Sequence, residues 1–263
     1  MLGSPKRVPK LGKLTAKRIK CPWEEFSYRS VIILGIPSYR IETNYRYMNA
    51  VIFDMDGVIC HTNPFHSEAF RVFFGKRGLY PTEAEFASHM YGKSNSYIFR
   101  HFLGREVVGE EFAALEQEKE GLFREIYANQ VTPIAGFMEF LDGLKRIGLK
   151  TGVATSAPFA NLGLIMGRLG FEPKMESILA SEHVAKHKPD PEVYLKSAYN
   201  LNTPPSKCVV FEDSYSGVTA ALNAGMRVVG VLSSHKKDEL PPCNYYINDY
   251  LEINPASLRH LFG

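Results

Sequence analysis

Short apolar runs alternate with longer amphipathic stretches along residues 48–263. The apolar runs predict β-strands at Val51–Phe53, Lys150–Ala154, Cys208–Phe211, Val228–Val231 and Tyr245–Ile247. The amphipathic stretches between the later runs predict helices at Gly136–Ile147, Pro191–Asn200 and Ser216–Ala224. Short, wholly apolar strands that alternate with helices are typical of a parallel sheet whose two faces are both covered. The pattern therefore predicts an α/β fold with a parallel sheet at its core.

The interval between the first two predicted strands departs from this rhythm. It contains helical patterns at Pro64–Lys76, Glu83–His89, Ser94–Leu103 and Glu110–Ala128. A structureless loop of that length would be implausible inside a compact domain. We therefore predict a helical domain over residues 65–131, inserted into a core that is formed by residues 48–64 and 132–263.

Residues 1–47 lack the periods of helices and strands, and their charge differs from that of the rest of the chain. They contain 10 Lys/Arg and 3 Glu, whereas residues 48–263 contain 21 Lys/Arg and 25 Asp/Glu. Such a segment is typical of a nucleic-acid-binding arm, of an organelle presequence or of a disordered leader. We expect a basic N-terminal extension that is disordered or precedes a native start at Met48, and no nucleic-acid partner.

The apolar runs and the cysteines argue against two classes of protein. The best candidate for a membrane segment, Val31–Ile36, is far shorter than the ~20 residues that a membrane helix needs. The four cysteines are widely spaced and form no CxxC pair, which argues against a zinc site and fits a reducing compartment. We therefore expect a cytoplasmic protein with no membrane partner.

Acidic and hydroxyl side chains directly follow three of the predicted strands. They are Asp54 and Asp56, Thr155 and Ser156, and Glu212 and Asp213. Ligands bind at the carboxyl edge of open parallel sheets. Acids also end strands simply because loops face water, but that explanation suits one such motif better than three in order. The sequence therefore predicts a ligand site at this edge.

A phosphoryl group at this edge would find each part that phosphoryl transfer needs. Asp54 can attack phosphorus as a nucleophile, and Asp56 can act as the acid and base from the turn that Gly57 allows. Two neighbouring carboxylates require a hard dication such as Mg²⁺ between them. The Thr155 hydroxyl and the Lys188 ammonium can hold the phosphoryl oxygens.

Four short motifs occur in order along the chain: FDMDGV, ATS, KPDP and VVFEDSYSG. Together they resemble the haloacid dehalogenase superfamily of phosphohydrolases, over residues 48–262. The resemblance implies a Rossmann-like parallel sheet core with an inserted α-helical cap domain that closes over small substrates. Aspartate at position 56, rather than Ser or Thr, is similar to the phosphatase and mutase branches and not to the ATPase branch.

The resemblance also implies a role for each motif residue. Asp54 is the nucleophile, Asp56 is the acid and base, and Thr155 with Lys188 binds the phosphoryl group. The implied cofactor is one Mg²⁺, whose ligands are Asp54, the Asp56 carbonyl and Asp213, with Glu212 beside it.

A second class of protein shares part of this pattern. Phosphoacceptor receiver domains, which are signalling modules, also combine acids, a Thr or Ser and a Lys at strand ends. They carry the acid pair on the first strand and the phosphoacceptor on a later one, and they have no cap. The acids at 54/56 and 212/213 and the inserted helices disfavour this alternative.

Substrate specificity is expected to come from residues of the cap and of the second motif. The candidate substrate-binding residues are His66, Lys93, Ser94, Asn95, Lys119 and Ser156. Alternatives stay open for three features: His66 can simply cap or pack the first cap helix, Lys119 can lie on a solvated charged face, and the turn at Gly92 can be only a helix entry.

Within the superfamily the chain most resembles β-phosphoglucomutase and related sugar-phosphate phosphatases. That mutase has a histidine at the spacing of His66 and a cap lysine that aligns with Lys119, but it has a phosphate-binding arginine where this chain has Asn95. We predict a Mg²⁺-dependent phosphatase of small phosphorylated metabolites, chiefly sugar phosphates, and the alternative is β-phosphoglucomutase. The protein is expected to be a monomer or a weak homo-oligomer.

Overall fold

The computed structural model describes residues 48–90 and 93–262. The predictions about the basic extension at residues 1–47 and about the turn at Gly92 concern residues outside these ranges.

Six parallel strands form one sheet in the order β3-β2-β1-β4-β5-β6. The strands are β1 Ala50–Phe53, β2 Lys150–Ala154, β3 Ser177–Leu179, β4 Cys208–Glu212, β5 Arg227–Val231 and β6 Tyr245–Ile247. β3 was not predicted, because a strand of three residues that begins with serine gives no readable apolar run. The other five strands and the α/β fold class are confirmed.

Helices α1 to α8 lie between strands β1 to β5, and α9 follows β6. They are α1 Asn63–Gly75, α2 Glu83–His89, α3 Asn95–Leu103, α4 Gly109–Tyr127, α5 Phe137–Arg146, α6 Phe159–Leu169, α7 Glu192–Asn200, α8 Tyr215–Asn223 and α9 Pro255–Phe262. Short 3₁₀ helices occupy Glu172–Lys174, Ser181–His183, Pro205–Lys207, Lys237–Glu239 and Tyr250–Glu252.

The sheet is buried on both faces because successive strand residues point to opposite sides. Val51 and Phe53 of β1 belong to one apolar cluster, whereas Ala50 and Ile52 belong to another. All four residues are fully buried. The polar side chains at the carboxyl ends of the strands form the site described below.

The helices α1 to α4 follow β1 in the chain and have an apolar cluster of their own. Its buried members are Phe70, Phe73, Phe74, Phe86, Met90, Ile98, Phe99 and Val107. The Phe73 and Phe99 rings lie 5.2 Å apart, and burying each such ring contributes about 1.5–3 kcal/mol. The predicted helical insert is thus present, while its boundaries at 65 and 131 stay a prediction, since α1 already begins at Asn63.

Candidate active site

The predicted motifs meet at one edge of the sheet because β1 lies between β2 and β4 in parallel register. Phe53 at the end of β1 is aligned with Val153 of β2 and with Phe211 of β4. The next residue, Asp54, donates its backbone N–H to the Phe211 carbonyl at 3.0 Å. Thr155 likewise continues β2 with a backbone bond to Leu179 at 3.0 Å.

Lys188 connects these strand ends through its ammonium group. Nζ lies 2.6 Å from Oδ1 of Asp54, 2.7 Å from Oε1 of Glu212 and 3.2 Å from the carbonyl oxygen of Ala154. These contacts use all three N–H groups of the lysine. Burial opposes the charge of Lys188, but the two carboxylates outweigh burial and raise its pKa. The lysine is therefore a buried, permanently charged contact between β1, β2 and β4.

Glu212 is held by hydrogen bonds on both of its carboxylate oxygens. Oε1 accepts from Lys188 and, at 2.8 Å, from the Tyr194 hydroxyl. Oε2 accepts from the backbone N–H groups of Asp213 and Ser214 and from the Ser214 hydroxyl at 2.9–3.0 Å. A carboxylate has about four lone-pair positions, so Glu212 has little capacity left for a further ligand. Its geometry is that of a residue that orients Lys188 and Asp213.

The start of α8 fits closely over the Glu212 carboxylate. Ser214 caps this helix, and its hydroxyl accepts the N–H of Gly217 at 3.1 Å. A Cβ atom at Gly217 would overlap the carboxylate of Glu212. Glycine is therefore needed here so that the helix can approach the buried acid.

Three acidic side chains lie together at this edge. Ligand oxygens of Asp54, Glu212 and Asp213 are within 4.8 Å of one another. Burial raises the pKa of Asp54 to about 8 and raises the pKa of Asp213 well above its usual value, whereas Lys188 and other donors outweigh burial and lower the pKa of Glu212. The single ammonium group of Lys188 therefore does not neutralise the negative charge that Asp54, Glu212 and Asp213 would carry together.

A small divalent cation fits the excess of negative charge. Carboxylate and carbonyl oxygens are the ligands that Mg²⁺ prefers. Gly57 adopts a positive φ of 69°, and a Cβ atom there would overlap the Asp213 carboxylate, so the backbone of the turn approaches that acid closely. Because Glu212 is already saturated, Asp54 and Asp213 offer the better side-chain oxygens.

Asp56 lies beside the cap and not in the acidic cluster. Its Oδ1 is 3.5 Å from Nε2 of His66, which is ion-pair range but longer than a hydrogen bond. Burial opposes ionisation of Asp56, but His66 outweighs burial and lowers the pKa of this acid. Asp54 therefore faces the acidic cluster, whereas Asp56 faces His66, and the catalytic roles expected for the two acids stay a prediction.

His66 and Lys119 join the cap to Asp56. The His66 ring stacks on Phe123 with centroids 3.8 Å apart, and its Nδ1 lies 2.8 Å from Nζ of Lys119. His66 thus packs within the cap, as one alternative proposed, and also contacts Asp56. The solvated-face alternative for Lys119 is wrong, because only 2% of this residue is exposed. The charged stretch around it was misleading, since Lys119 lies on the buried side of α4 together with Phe123.

The remaining predicted residues have contacts that account for their local structure. Thr155 is buried, and its Oγ1 accepts the N–H of Ala157 at 3.0 Å, whereas Ser156 is exposed. Exposed Lys93 lies over the Tyr97 ring at 5.7 Å, and Ser94 caps α3. Asn95 is half-buried and donates to two glutamates of α4. Substrate binding by Ser156, Lys93, Ser94 and Asn95 stays a prediction.

A loop after β5 supplies contacts that the sequence reasoning missed. The Ser234 hydroxyl donates to Oδ2 of Asp213 and accepts from Nδ2 of Asn63 at 2.6 Å. The neighbouring Ser233 hydroxyl donates to the Gly57 carbonyl at 2.5 Å. The signal was present in the sequence, because Ser233, Ser234 and His235 come one residue after the predicted strand Val228–Val231, at the same edge as the other motifs.

Comparison with known proteins places this site in a family. The model for haloacid dehalogenase-like hydrolases matches residues 51–231. The chain belongs to this family. The resemblance to this family that the four sequence motifs indicated is therefore confirmed.

Individual relatives agree with the family assignment. A phosphorylated carbohydrates phosphatase from Thermotoga maritima is 35% identical over 205 residues, which cover 71% of this chain and 87% of the relative. The β-phosphoglucomutase of Bacillus subtilis is 30% identical over 193 residues, covering 70% and 83%. A solved HAD hydrolase of family IA, variant 3, from Entamoeba histolytica has a TM-score of 0.77 at 28% identity, covering 82% of this chain and 99% of its own.

Membership of the haloacid dehalogenase-like hydrolases establishes the type of activity. The chain is an enzyme of the phosphohydrolase class, as predicted. Within residues 48–90 and 93–262, no helix is both long and apolar enough to cross a membrane.

Proposed function

We propose that this haloacid dehalogenase-like hydrolase is a Mg²⁺-dependent phosphatase of small sugar phosphates that works through an aspartyl phosphate. The observation that carries the proposal is the buried contact of Lys188 with Asp54 and Glu212 at 2.6 and 2.7 Å. It orients Asp54 at the sheet edge and places a fixed positive charge where phosphoryl oxygens would gather.

The first half-reaction uses Asp54 and Asp56. Lys188 holds Oδ1 of Asp54, so Oδ2 is the oxygen that attacks phosphorus. A bond forms between Oδ2 and phosphorus and the bond from phosphorus to the sugar oxygen breaks, while Asp56, which takes up a proton once it has left His66, gives that proton to the sugar oxygen. Asp56 must leave His66 to do so, and the 3.5 Å separation between them is loose enough to permit this movement.

The second half-reaction returns the enzyme to its starting state. Asp56, now ionised, removes a proton from a water molecule, and the water oxygen attacks phosphorus. The bond between phosphorus and Asp54 breaks, which releases inorganic phosphate and the Asp54 carboxylate. His66 lowers the pKa of Asp56, and this favours the ionised form that the step requires.

Asp54, Asp213 and the backbone carbonyl of Asp56 would hold the Mg²⁺, with Glu212 beside them. When bound, the ion neutralises the acids and polarises the phosphoryl oxygens. Ser234 orients Asp213 by donating to its Oδ2. Thr155 directly follows β2, and it would donate its hydroxyl hydrogen to a phosphoryl oxygen, since its oxygen accepts from the N–H of Ala157.

The substrate class and the alternative activity follow from the cap and the relatives. A helical cap over residues 65–131 encloses a small molecule better than a macromolecule, and the T. maritima relative is named for phosphorylated carbohydrates. β-Phosphoglucomutase is the second candidate, because the B. subtilis enzyme is a relative and the His66–Lys119–Asp56 contacts resemble those expected for a mutase. Cytoplasmic location and a monomeric or weakly associated state stay predictions.

Product analysis with β-glucose 1-phosphate distinguishes the two activities. The reaction is run with Mg²⁺, with and without a trace of β-glucose 1,6-bisphosphate, beside a panel of sugar and short-chain phosphates. Inorganic phosphate without isomerisation supports the phosphatase. Glucose 6-phosphate that forms faster than inorganic phosphate would establish the mutase instead.

A further inference from the structure

The loop after β5 contacts two parts of the acidic site at once. The Ser233 hydroxyl donates to the Gly57 carbonyl at 2.5 Å, and the Ser234 hydroxyl donates to Oδ2 of Asp213. Nδ1 of His235 lies 3.0 Å from the carbonyl oxygen of Asp213 and therefore donates to it. The loop thus holds Asp213 both by its side chain and by its backbone.

Asn63 brings the first cap helix to this loop. It is the first residue of α1, and its Nδ2 donates to Oγ of Ser234 at 2.6 Å across 171 positions of the chain. Farther along α1, Phe70 and Phe73 belong to the apolar cluster of the cap. The hydrogen bond therefore connects a helix that packs in the cap with a loop that holds an acid of the core.

The chemistry of the serine hydroxyl sets the direction of these hydrogen bonds. A hydroxyl has one hydrogen and two lone pairs, and an ionised carboxylate has no hydrogen to donate. Because the Asn63 amide donates to Ser234, the single hydrogen of Ser234 is left for Asp213. The Ser233 oxygen lies 3.4 Å from Oγ of Ser234, but its own hydrogen goes to the Gly57 carbonyl. The chain of donors therefore runs from Asn63 through Ser234 to Asp213.

The amide of Asn63 improves Ser234 as a donor. A hydroxyl that accepts a hydrogen bond is polarised and donates more strongly. Without the amide, the Ser234 hydroxyl could also rotate toward the Ser233 oxygen at 3.4 Å. Loss of an outer group that orients a metal ligand typically weakens metal binding about 10- to 100-fold. The orientation of Asp213 thus depends on where Asn63 lies.

We propose that Asn63 is a positioning residue for the metal site, which couples the start of the first cap helix to Mg²⁺ affinity through Ser234 and Asp213. The inference rests on the Mg²⁺-dependent phosphatase function proposed above. A cap helix held against the loop keeps Asp213 oriented, so less conformational freedom is lost when the ion binds. Because coupling between binding equilibria is reciprocal, Mg²⁺ should in turn stabilise the contact of Asn63 with the loop.

Isothermal titration calorimetry with MgCl₂ on the EDTA-treated full-length chain measures the coupling. Asn63→Ala should raise the Kd for Mg²⁺ about fivefold, less than the rise of about tenfold in Ser234→Ala, because the hydroxyl itself stays. The double variant should bind Mg²⁺ no more weakly than Ser234→Ala, because Asn63 then has no hydroxyl to act through. A role of Asn63 in packing alone would give additive effects instead.

Activity separates a positioning role from a structural one. In Asn63→Ala the Mg²⁺ concentration that gives half-maximal kcat should rise about fivefold, whereas kcat at saturating Mg²⁺ and KM for the sugar phosphate should stay within about twofold of the wild type. Asn63→Ser keeps a polar residue at the helix start but is too short to reach Ser234, so it should behave like Asn63→Ala. It carries the test if the alanine variant does not fold.

Two controls perturb the cap at places other than Asn63. Thr82→Ala removes the side-chain cap of α2 and should lower stability. Asn161→Ala removes another hydrogen bond between cap and core, which Nδ2 of Asn161 in α6 donates to Oε2 of Glu120 at 2.6 Å. Both variants should leave the Kd for Mg²⁺ unchanged.

An unchanged Kd in folded Asn63→Ala and Asn63→Ser, additive effects in the double variant, or an equal rise in Kd in either control would overturn the inference. A wild type that binds no Mg²⁺ would refute both the inference and the proposed Mg²⁺ dependence. A wild type that binds Mg²⁺ but releases phosphate from no ester would refute the proposed function alone.

Discussion

Replacing Lys188 with Met removes the ammonium group between Asp54 and Glu212 while keeping most of the side-chain volume. Loss of one partner from a buried ion pair costs about 3–5 kcal/mol, because the remaining charge is left unpaired. Glu212 keeps its bonds from Tyr194 and Ser214, and Asp54 can take up a proton because its pKa is already about 8. We therefore expect Lys188→Met to lower the free energy of unfolding by about 3 kcal/mol, the lower end of that range.

Thermal unfolding without Mg²⁺ measures this loss. For a chain of this size each kcal/mol corresponds to about 2–4 °C, so the Tm of Lys188→Met should fall by about 6–12 °C. Excess Mg²⁺ should restore part of the difference, because it neutralises Asp54. The matched control is Lys196→Met, which removes a half-exposed lysine paired with Glu192 and should cost less than about 1 kcal/mol.

Activity gives a second measure of the same substitution. Loss of a fixed charge at the phosphoryl oxygens should lower kcat about 10²- to 10³-fold. A Lys188→Met protein that is as stable as the wild type without Mg²⁺, or that keeps most of its kcat, would refute the role assigned to this contact.

Three further predictions follow from the contacts of the site. Mg²⁺ should raise Tm more near about pH 9 than near about pH 6. Burial raises the pKa of Asp54 to about 8, so the protonated acid stabilises the metal-free protein at low pH, and this stabilisation is lost as the pH rises to about 8. An equal rise in Tm with Mg²⁺ at both pH values would contradict this. Gly217→Ala should destabilise the protein by about 1–3 kcal/mol in urea unfolding, whereas Gly163→Ala, in open space on α6, should not. Ser234→Ala should weaken Mg²⁺ binding about tenfold in calorimetry because Asp213 loses its orienting donor, and an unchanged Kd would rule this role out.

The sheet and the reacting groups were predictable because their signals are local. Apolar runs that end in acids or hydroxyls mark strands and their carboxyl ends, and parallel pairing then brings Asp54, Thr155 and Glu212 together. Lys188 was recognised from its motif, although it lies outside any strand. β3 was missed because three residues are too few to show a period.

The contacts between cap and core were not predictable, because they join residues far apart in the chain. Asn161 carried no signal, since a single asparagine in an apolar helix indicates only a local hydrogen bond. Glu120 lies in a charged stretch of the sequence, and its burial depends on the way α4 turns Lys119 and Phe123 toward His66. Burial of charged groups depends on tertiary packing, and composition does not reveal it.

Direct detection of a phosphorylated Asp54 tests the central claim most sharply. Enzyme and substrate are mixed for one turnover and quenched in acid, and the acyl phosphate is reduced with borohydride so that mass spectrometry can locate it. We expect the modification on the peptide that contains Asp54, and none in Asp54→Asn, which should also release no phosphate. Phosphate release by the wild type without any covalent label on Asp54, or with the label on another residue, would contradict the aspartyl-phosphate mechanism.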